Sequence, residues 1–106
     1  GKYQADARLD LHKKSPTQAL EELLGFITEC SGFGIRSVVV SHGRGSHEDA
    51  PGNVLRSYLN QWLPLIPEVM AFHSAQKQHG GLGATYILLR KNETQRRDNW
   101  EKHQKR

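Results

Sequence analysis

Ser37-Val38-Val39-Val40-Ser41-His42-Gly43-Arg44-Gly45-Ser46 lies near the middle of the chain, and its reading decides the fold. Three consecutive valines are stiff at χ1 and favour a pleated backbone. The run is short and apolar rather than alternating, which fits a strand covered on both faces, as in a parallel sheet. A polar, glycine-bearing loop then runs from His42 to Asn53. A helix is expected over about 53–63, with Val54, Leu55, Tyr58, Leu59 and Trp62 on one side and Pro64 and Pro67 closing it.

Working back from the valines, Gly32 and Gly34 end an earlier helix. Its start is marked by Ser15-Pro16-Thr17-Gln18: a capping serine, a proline suited to the first helical position and a glutamine that completes a capping box. Leu20, Leu23, Leu24, Ile27 and Cys30 form its apolar stripe. Before it, Arg8-Leu9-Asp10-Leu11-His12 alternates as a half-buried strand does, with Asp10 and His12 on one face and the leucines on the other.

Working forward, Val69-Met70-Ala71-Phe72 is expected as a third strand and Ala84-Thr85-Tyr86-Ile87-Leu88-Leu89 as a fourth, joined through Gly80-Gly81-Leu82-Gly83. Tyr58 with Trp62, and Met70 with Phe72, are expected in the core. The order βαβαββ implies three parallel strands with right-handed crossovers and a last strand that returns antiparallel. With both helices on one side, the expected fold is α/β: a two-layer sandwich over a four-stranded mixed sheet. Residues 1–7 form an N-terminal extension, 8–90 the domain and 91–106 a basic C-terminal tail.

The formal net charge of +4 is unevenly placed. Arg90 to Arg106 holds seven Lys/Arg and three Asp/Glu, and the rest of the chain balances at eight of each. Such a tail suits either a phosphate backbone or simple solvation, with Trp100 as a docking point. Cys30 is the single cysteine, which excludes an intrachain disulfide and cysteine-based zinc folds. No apolar run approaches the roughly 20 residues that span a bilayer, and from the polar stretch Gly1 to Arg8 no signal peptide is expected. A cytoplasmic protein without a membrane partner is expected.

Ligands of open α/β sheets bind at the carboxyl ends of the parallel strands. His12, His42 and His73 are each expected at that edge, beside the glycine-rich lead into the fourth strand. Gly43 and Gly45 let backbone amides approach an anion, and Arg44 adds a forked donor. Ser46 and Lys13 join them as candidate phosphate or nucleic-acid contacts. The loop is neither a Walker loop nor a dinucleotide fingerprint, because Glu48 stands where the third glycine is needed. His12 is the leading proton-transfer candidate, with Asp10 beside it and His42 as a donor to phosphate or a leaving oxygen. A divalent cation such as Mg would need Asp10, His12 and His42 to meet, since no clear ligand cluster and no helical His pair at i, i+4 stands in the sequence. Tyr86 is expected either to stack on a base or, more simply, to pack at the edge of the core.

These stretches together resemble the Smr (small MutS-related) domain family, in the short form of its stand-alone proteobacterial members. The resemblance is carried by Leu9-Asp10-Leu11-His12, Ala19 to Leu24, Val38 to Ser46, Leu55-Arg56 with Trp62-Leu63, and Ala71-Phe72 through Gly83-Ala84. It implies a fold like the C-terminal domain of translation initiation factor 3, binding to DNA or RNA, and in many members endonuclease activity. Its Asp-x-His motif falls on Asp10 and His12, and its Gly-x-Gly motif on Gly43, Arg44 and Gly45. His42 stands where many members have Thr. The expected function is phosphodiester cleavage in DNA or RNA, against two alternatives: a non-catalytic nucleic-acid-binding module, and a small-nucleotide phosphoesterase.

Overall fold

The first helix forms where its capping box places it. In the computed structural model, which describes residues 5–44, 49–74 and 83–91, the Ser15 hydroxyl accepts the Gln18 amide at 3.2 Å. The Gln18 side chain accepts the Ser15 amide at 3.1 Å in return. The helix α1 (Pro16–Gly32) ends as expected, with Gly34 in the left-handed region at φ 78°. Ala19, Leu23, Ile27 and Cys30 are its buried residues. The buried stripe is therefore rotated from the expected one: Ala19 is fully buried, Leu20 half-buried and Leu24 exposed.

The remaining elements are β1 (Ala7–Asp10), β2 (Ser37–Ser41), α2 (Pro51–Trp62) followed by a single 3₁₀ turn (Leu63–Leu65), β3 (Val69–Ser74) and β4 (Ala84–Leu89). Sheet order is β1-β2-β4-β3. β1 runs parallel to β2, and β4 runs antiparallel to both β2 and β3. The last strand thus enters between its predecessors, and the three others point the same way.

One face of the sheet carries the core. Val38, Val40, Ile87, Leu89 and Val69 meet Leu23 and Ile27 of α1 and Leu55 and Leu59 of α2, so both helices lie on one side. On the reverse face Val39, Ala84 and Tyr86 form a smaller buried cluster against Ala5. The valine run is accordingly covered on both faces. No helix among the described residues is long and apolar enough to cross a membrane.

Several expected boundaries and burials shift. β1 stops at Asp10, and Leu11 adds one further bond to the Ser41 carbonyl at 2.7 Å. His12 then lies in a turn that Lys13 completes at φ 64°. α2 begins two residues early, because Pro51 supplies a helical φ at the first position. β3 extends to Ser74, so His73 lies within it, opposite Tyr86, rather than beyond the strand end. Met70 is 53% exposed instead of in the core, since a register shift between Val69 and Ala71 turns it out of the edge strand. Tyr58 stacks on Trp62 at 5.2 Å, but on the outer flank of α2: Trp62 is half-buried and Tyr58 exposed. Trp100 and the basic tail lie outside the described residues.

The carboxyl end of β2 is held by three chain segments. His42 and Gly43 both donate their amides to the Gly83 carbonyl at 2.9 Å. Gly43 turns at φ 81°, a conformation open to glycine at little cost. Gly52, in the first turn of α2, lies against the Gly43–Arg44 peptide. A methyl group on Gly52 would fall 2.5 Å from the Gly43 oxygen and from the Arg44 nitrogen, and closer still to the carbonyl carbon. Those distances place Gly52 over the face of the peptide rather than at its edge.

Two alanine substitutions should therefore behave oppositely in urea unfolding. Gly25 lies exposed inside α1 with nothing within 4 Å of an added methyl, so Gly25→Ala should stabilise by about 0.5–1 kcal/mol. Gly52→Ala drives a methyl into backbone and should destabilise by about 1–3 kcal/mol. Equal midpoints for the two variants would contradict the packing described.

Candidate active site

Asp10 and His12 meet where β1 gives way to its turn. One oxygen of Asp10, Oδ1, accepts the His12 backbone amide at 2.9 Å and lies 2.6 Å from the His12 ring Nδ1. A carboxylate only accepts, so Nδ1 carries the proton and Nε2 is left with its lone pair. The His12 amide, and then its ring, hold the Asp10 carboxyl below the ordinary carboxylate range. The Asp10 side chain is 74% exposed and that of His12 53%, so the pair is open to a substrate.

The free edge of the His12 ring faces Gly43. A methyl group on Gly43 would lie 2.9 Å from both Cδ2 and Nε2 of His12. A glycine is therefore needed here for space as well as for its positive φ. Asp10, His12, Gly43 and Arg44 thus gather on one rim, as the strand order leads one to expect. Arg44 is exposed there, and Lys13 is exposed one residue beyond His12. Lys14 is instead paired with Glu22 at 2.9 Å. Gly45 and Ser46, with His47 and Glu48, lie outside the described residues.

His42 is placed differently from the expectation of a solvent-facing donor. It is 1% exposed, and both ring nitrogens are engaged. Nδ1 lies 2.8 Å from the Gly43 carbonyl, so it must donate. Nε2 lies 3.1 Å from Thr85 Oγ1 and accepts its hydroxyl proton. This is a neutral imidazole with no nitrogen left for substrate. Burial pushes its pKa below 6.5, and the nearby Arg56 and His12 push the same way.

Sequence reasoning did not single out Gly52, Gly83 or Thr85 as site residues. The signal for Thr85 is a hydroxyl on the face of Ala84–Leu89 whose alternation also gives Ile87 and Leu89 to the core. The signal for Gly52 is a glycine following a helix-starting proline, where a larger residue would be the better helix former. Tyr86 is buried on the helix-free face, with the His73 ring 5.7 Å away and tilted by 41°, so it packs against the sheet. Among the described residues no group of three His, Cys, Asp or Glu side chains could hold a metal ion.

The His42 environment sets a sign for pH dependence. Its folded pKa lies below its unfolded value, so the unfolded chain takes up a proton first as pH falls. The stabilisation is full above about pH 6.5 and drains away below it, by at most about 1.4 kcal/mol per pH unit from this one group. Urea unfolding of the wild type and of His42→Gln at pH 7.5 and 5.5 checks this, the variant showing the flatter dependence. A steeper loss in His42→Gln would reverse the assignment.

Comparison with known proteins identifies the family. The Smr domain profile matches residues 9–90. The chain is 36% identical over 106 residues to "Probable DNA endonuclease SmrA" of Escherichia coli K12, covering 100% of this chain and 57% of that protein. It is 39% identical over 92 residues to "Ribosome rescue factor SmrB" of Tolumonas auensis, covering 87% of this chain and 49% of that one. The chain therefore spans about half the length of these curated relatives. Among solved structures, YdaL, a stand-alone small MutS-related protein from Escherichia coli, matches with a TM-score of 0.79 at 35% identity, over 86% of this chain and 70% of that chain. The Smr domain of Thermus thermophilus MutS2 matches with a TM-score of 0.71 at 26% identity, over 79% of this chain and 98% of that chain. With the profile spanning most of the sequence and the fold repeated in both structures, the chain belongs to the Smr domain family.

Proposed function

We propose that this domain binds nucleic acid and cleaves its phosphodiester backbone at the rim formed by Asp10, His12, Gly43 and Arg44. One observation carries the reading: the His12 imidazole, oriented through Nδ1 by Asp10, presents Nε2 beside the backbone of Gly43. That supports a site in which a proton acceptor and anion donors serve one phosphate.

In this reading the amides of Arg44 and Gly45, the Arg44 guanidinium, Ser46 and Lys13 hold the phosphate, while Gly43, whose own amide is donated to the Gly83 carbonyl, gives the turn its shape. His12 Nε2 takes the proton of the attacking oxygen, and Asp10 stabilises the imidazolium that forms. In RNA the attacking oxygen is the 2′-hydroxyl. It bonds to phosphorus to give a 2′,3′-cyclic phosphate, the bond from phosphorus to the 5′-oxygen breaks, and that oxygen takes a proton from solvent water as it leaves. In DNA the attacking oxygen belongs to water. His42 is reassigned from proton transfer to support of the loop. The names of the two curated relatives, an endonuclease and a ribosome rescue factor, both point to nucleic acid as the partner. A single buried thiol, Cys30, fits a reducing cytoplasmic setting.

The test uses labelled single-stranded RNA and supercoiled DNA with purified protein. His12→Ala should slow cleavage by about 10²–10⁴ while leaving binding in place. Arg44→Ala should weaken binding across sequences and lower the slope of log affinity against log salt by about one. Undiminished cleavage by His12→Ala sinks the catalytic assignment. Binding without any product in the wild type leaves a non-catalytic module.

A further inference from the structure

The buried His42 is not used by the chemistry proposed above, yet it sits directly behind it. The ring is held at both ends. Turning it over would put carbon where Nδ1 meets the Gly43 carbonyl and where Nε2 meets the Thr85 hydroxyl, and both bonds would be lost in a site without water access. Thr85 is itself fixed by sheet register, since it pairs with Val40 on β2, two residues before His42. The hydroxyl, the imidazole and the Gly43 carbonyl therefore form a short hydrogen-bonded chain that begins in the sheet and ends at the loop.

We propose that Thr85 and His42 are positioning residues that hold the Gly43–Arg44 peptide with its carbonyl turned into the domain and the Arg44 amide turned out beside His12. The inference rests on the reading of this rim as a phosphate site. The peptide is trans, so its N–H points opposite to its C=O. Fixing the carbonyl on the buried His42 fixes the amide outward. Rotation of the peptide is opposed by Gly52, which lies over its face, while the Gly83 carbonyl holds the Gly43 amide. A donor set in place before the substrate arrives needs no reorganisation when charge builds on a phosphate oxygen. The effect belongs to the rate step more than to ground-state binding.

The experiment compares wild type, Thr85→Val and Thr85→Ser. Valine keeps the shape of threonine and removes the hydroxyl, and serine restores it. Three quantities are read: cleavage of labelled single-stranded RNA as kcat and KM, the melting temperature, and the shift of the Arg44 backbone amide in NMR spectra on titration with the same RNA. Thr85→Val should lower kcat by at least about tenfold with KM within about threefold, and should shrink the Arg44 shift. Thr85→Ser should recover most of the rate even where its melting temperature is no higher than that of Thr85→Val. Wild-type kcat and wild-type Arg44 shift in Thr85→Val overturn the proposal, as do losses in both variants that merely track stability. If Thr85→Val fails to fold, His42→Asn and His42→Ala decide. Asparagine offers an amide donor near the place of Nδ1 and should retain more rate than alanine, and equal rates would refute the role. A wild-type Arg44 shift without cleavage defeats the catalytic reading and leaves the positioning to be judged by that shift. No Arg44 shift in the wild type defeats the positioning itself.

Discussion

The Gly83 carbonyl accepts two consecutive amides, those of His42 and Gly43, and the candidate site depends on that bifurcated bond. It exists because β4 runs antiparallel between β2 and β3, so its first residues arrive beside the last residues of β2. An all-parallel sheet would have put the end of β4 at this rim and its start at the far one. The reversal of one strand therefore delivers a third segment to an edge where a parallel sheet already gathers the ends of β1 and β2. Gly52 then lets the start of α2 approach the Gly43–Arg44 peptide more closely than a side chain would permit, and Gly43 leaves the room that the His12 ring occupies.

Two histidines at this rim are put to opposite uses by their surroundings. His12 is exposed, with one nitrogen committed to a carboxylate and the other beside Gly43, where the proposed reading uses it for proton transfer. His42 is buried and kept neutral, with neither nitrogen available. A second cation at His42 would repel an imidazolium forming on His12 and would cost desolvation in the core. The buried ring thus serves the exposed one best by remaining uncharged. Its hydrogen bonds then act through geometry, on the Gly43 carbonyl, rather than through field.

Most of the fold was legible because each element carried its own punctuation. Ser15 to Gln18 announced α1, the valines announced β2, and the order of elements left few topologies to consider. The motif residues Asp10, His12, Gly43 and Arg44 could be assembled from strand direction alone. What escaped was set by contact across the fold. Nothing local distinguishes a catalytic His42 from a buried one; the difference lies in Thr85, forty-three residues away, whose hydroxyl occupies Nε2. Met70 alternates as a core residue should, and only the register shift beside it turns it outward. Gly52 looked like part of a loop, because its purpose is the space it leaves for the Gly43–Arg44 peptide.

The placement of charge separates affinity from geometry in this protein. Residues 1–89 carry no net charge, and the whole excess of +4 falls in the seventeen residues from Arg90. A polyanion is drawn to a positive field at long range and with strong salt dependence, and such attraction reads no position along the strand. The rim offers the reverse: one guanidinium, one lysine, and backbone dipoles fixed by His42, Gly52 and Gly83. The dipoles act only over hydrogen-bond distances, on a single phosphate, and the two cations add only about one released counterion each. A domain balanced in charge cannot hold a nucleic acid strongly by this rim alone. On the proposed reading, the basic tail gathers the strand without specifying where it lies, and the exactness of the Gly43–Arg44 peptide decides which phosphate comes to rest beside Nε2 of His12.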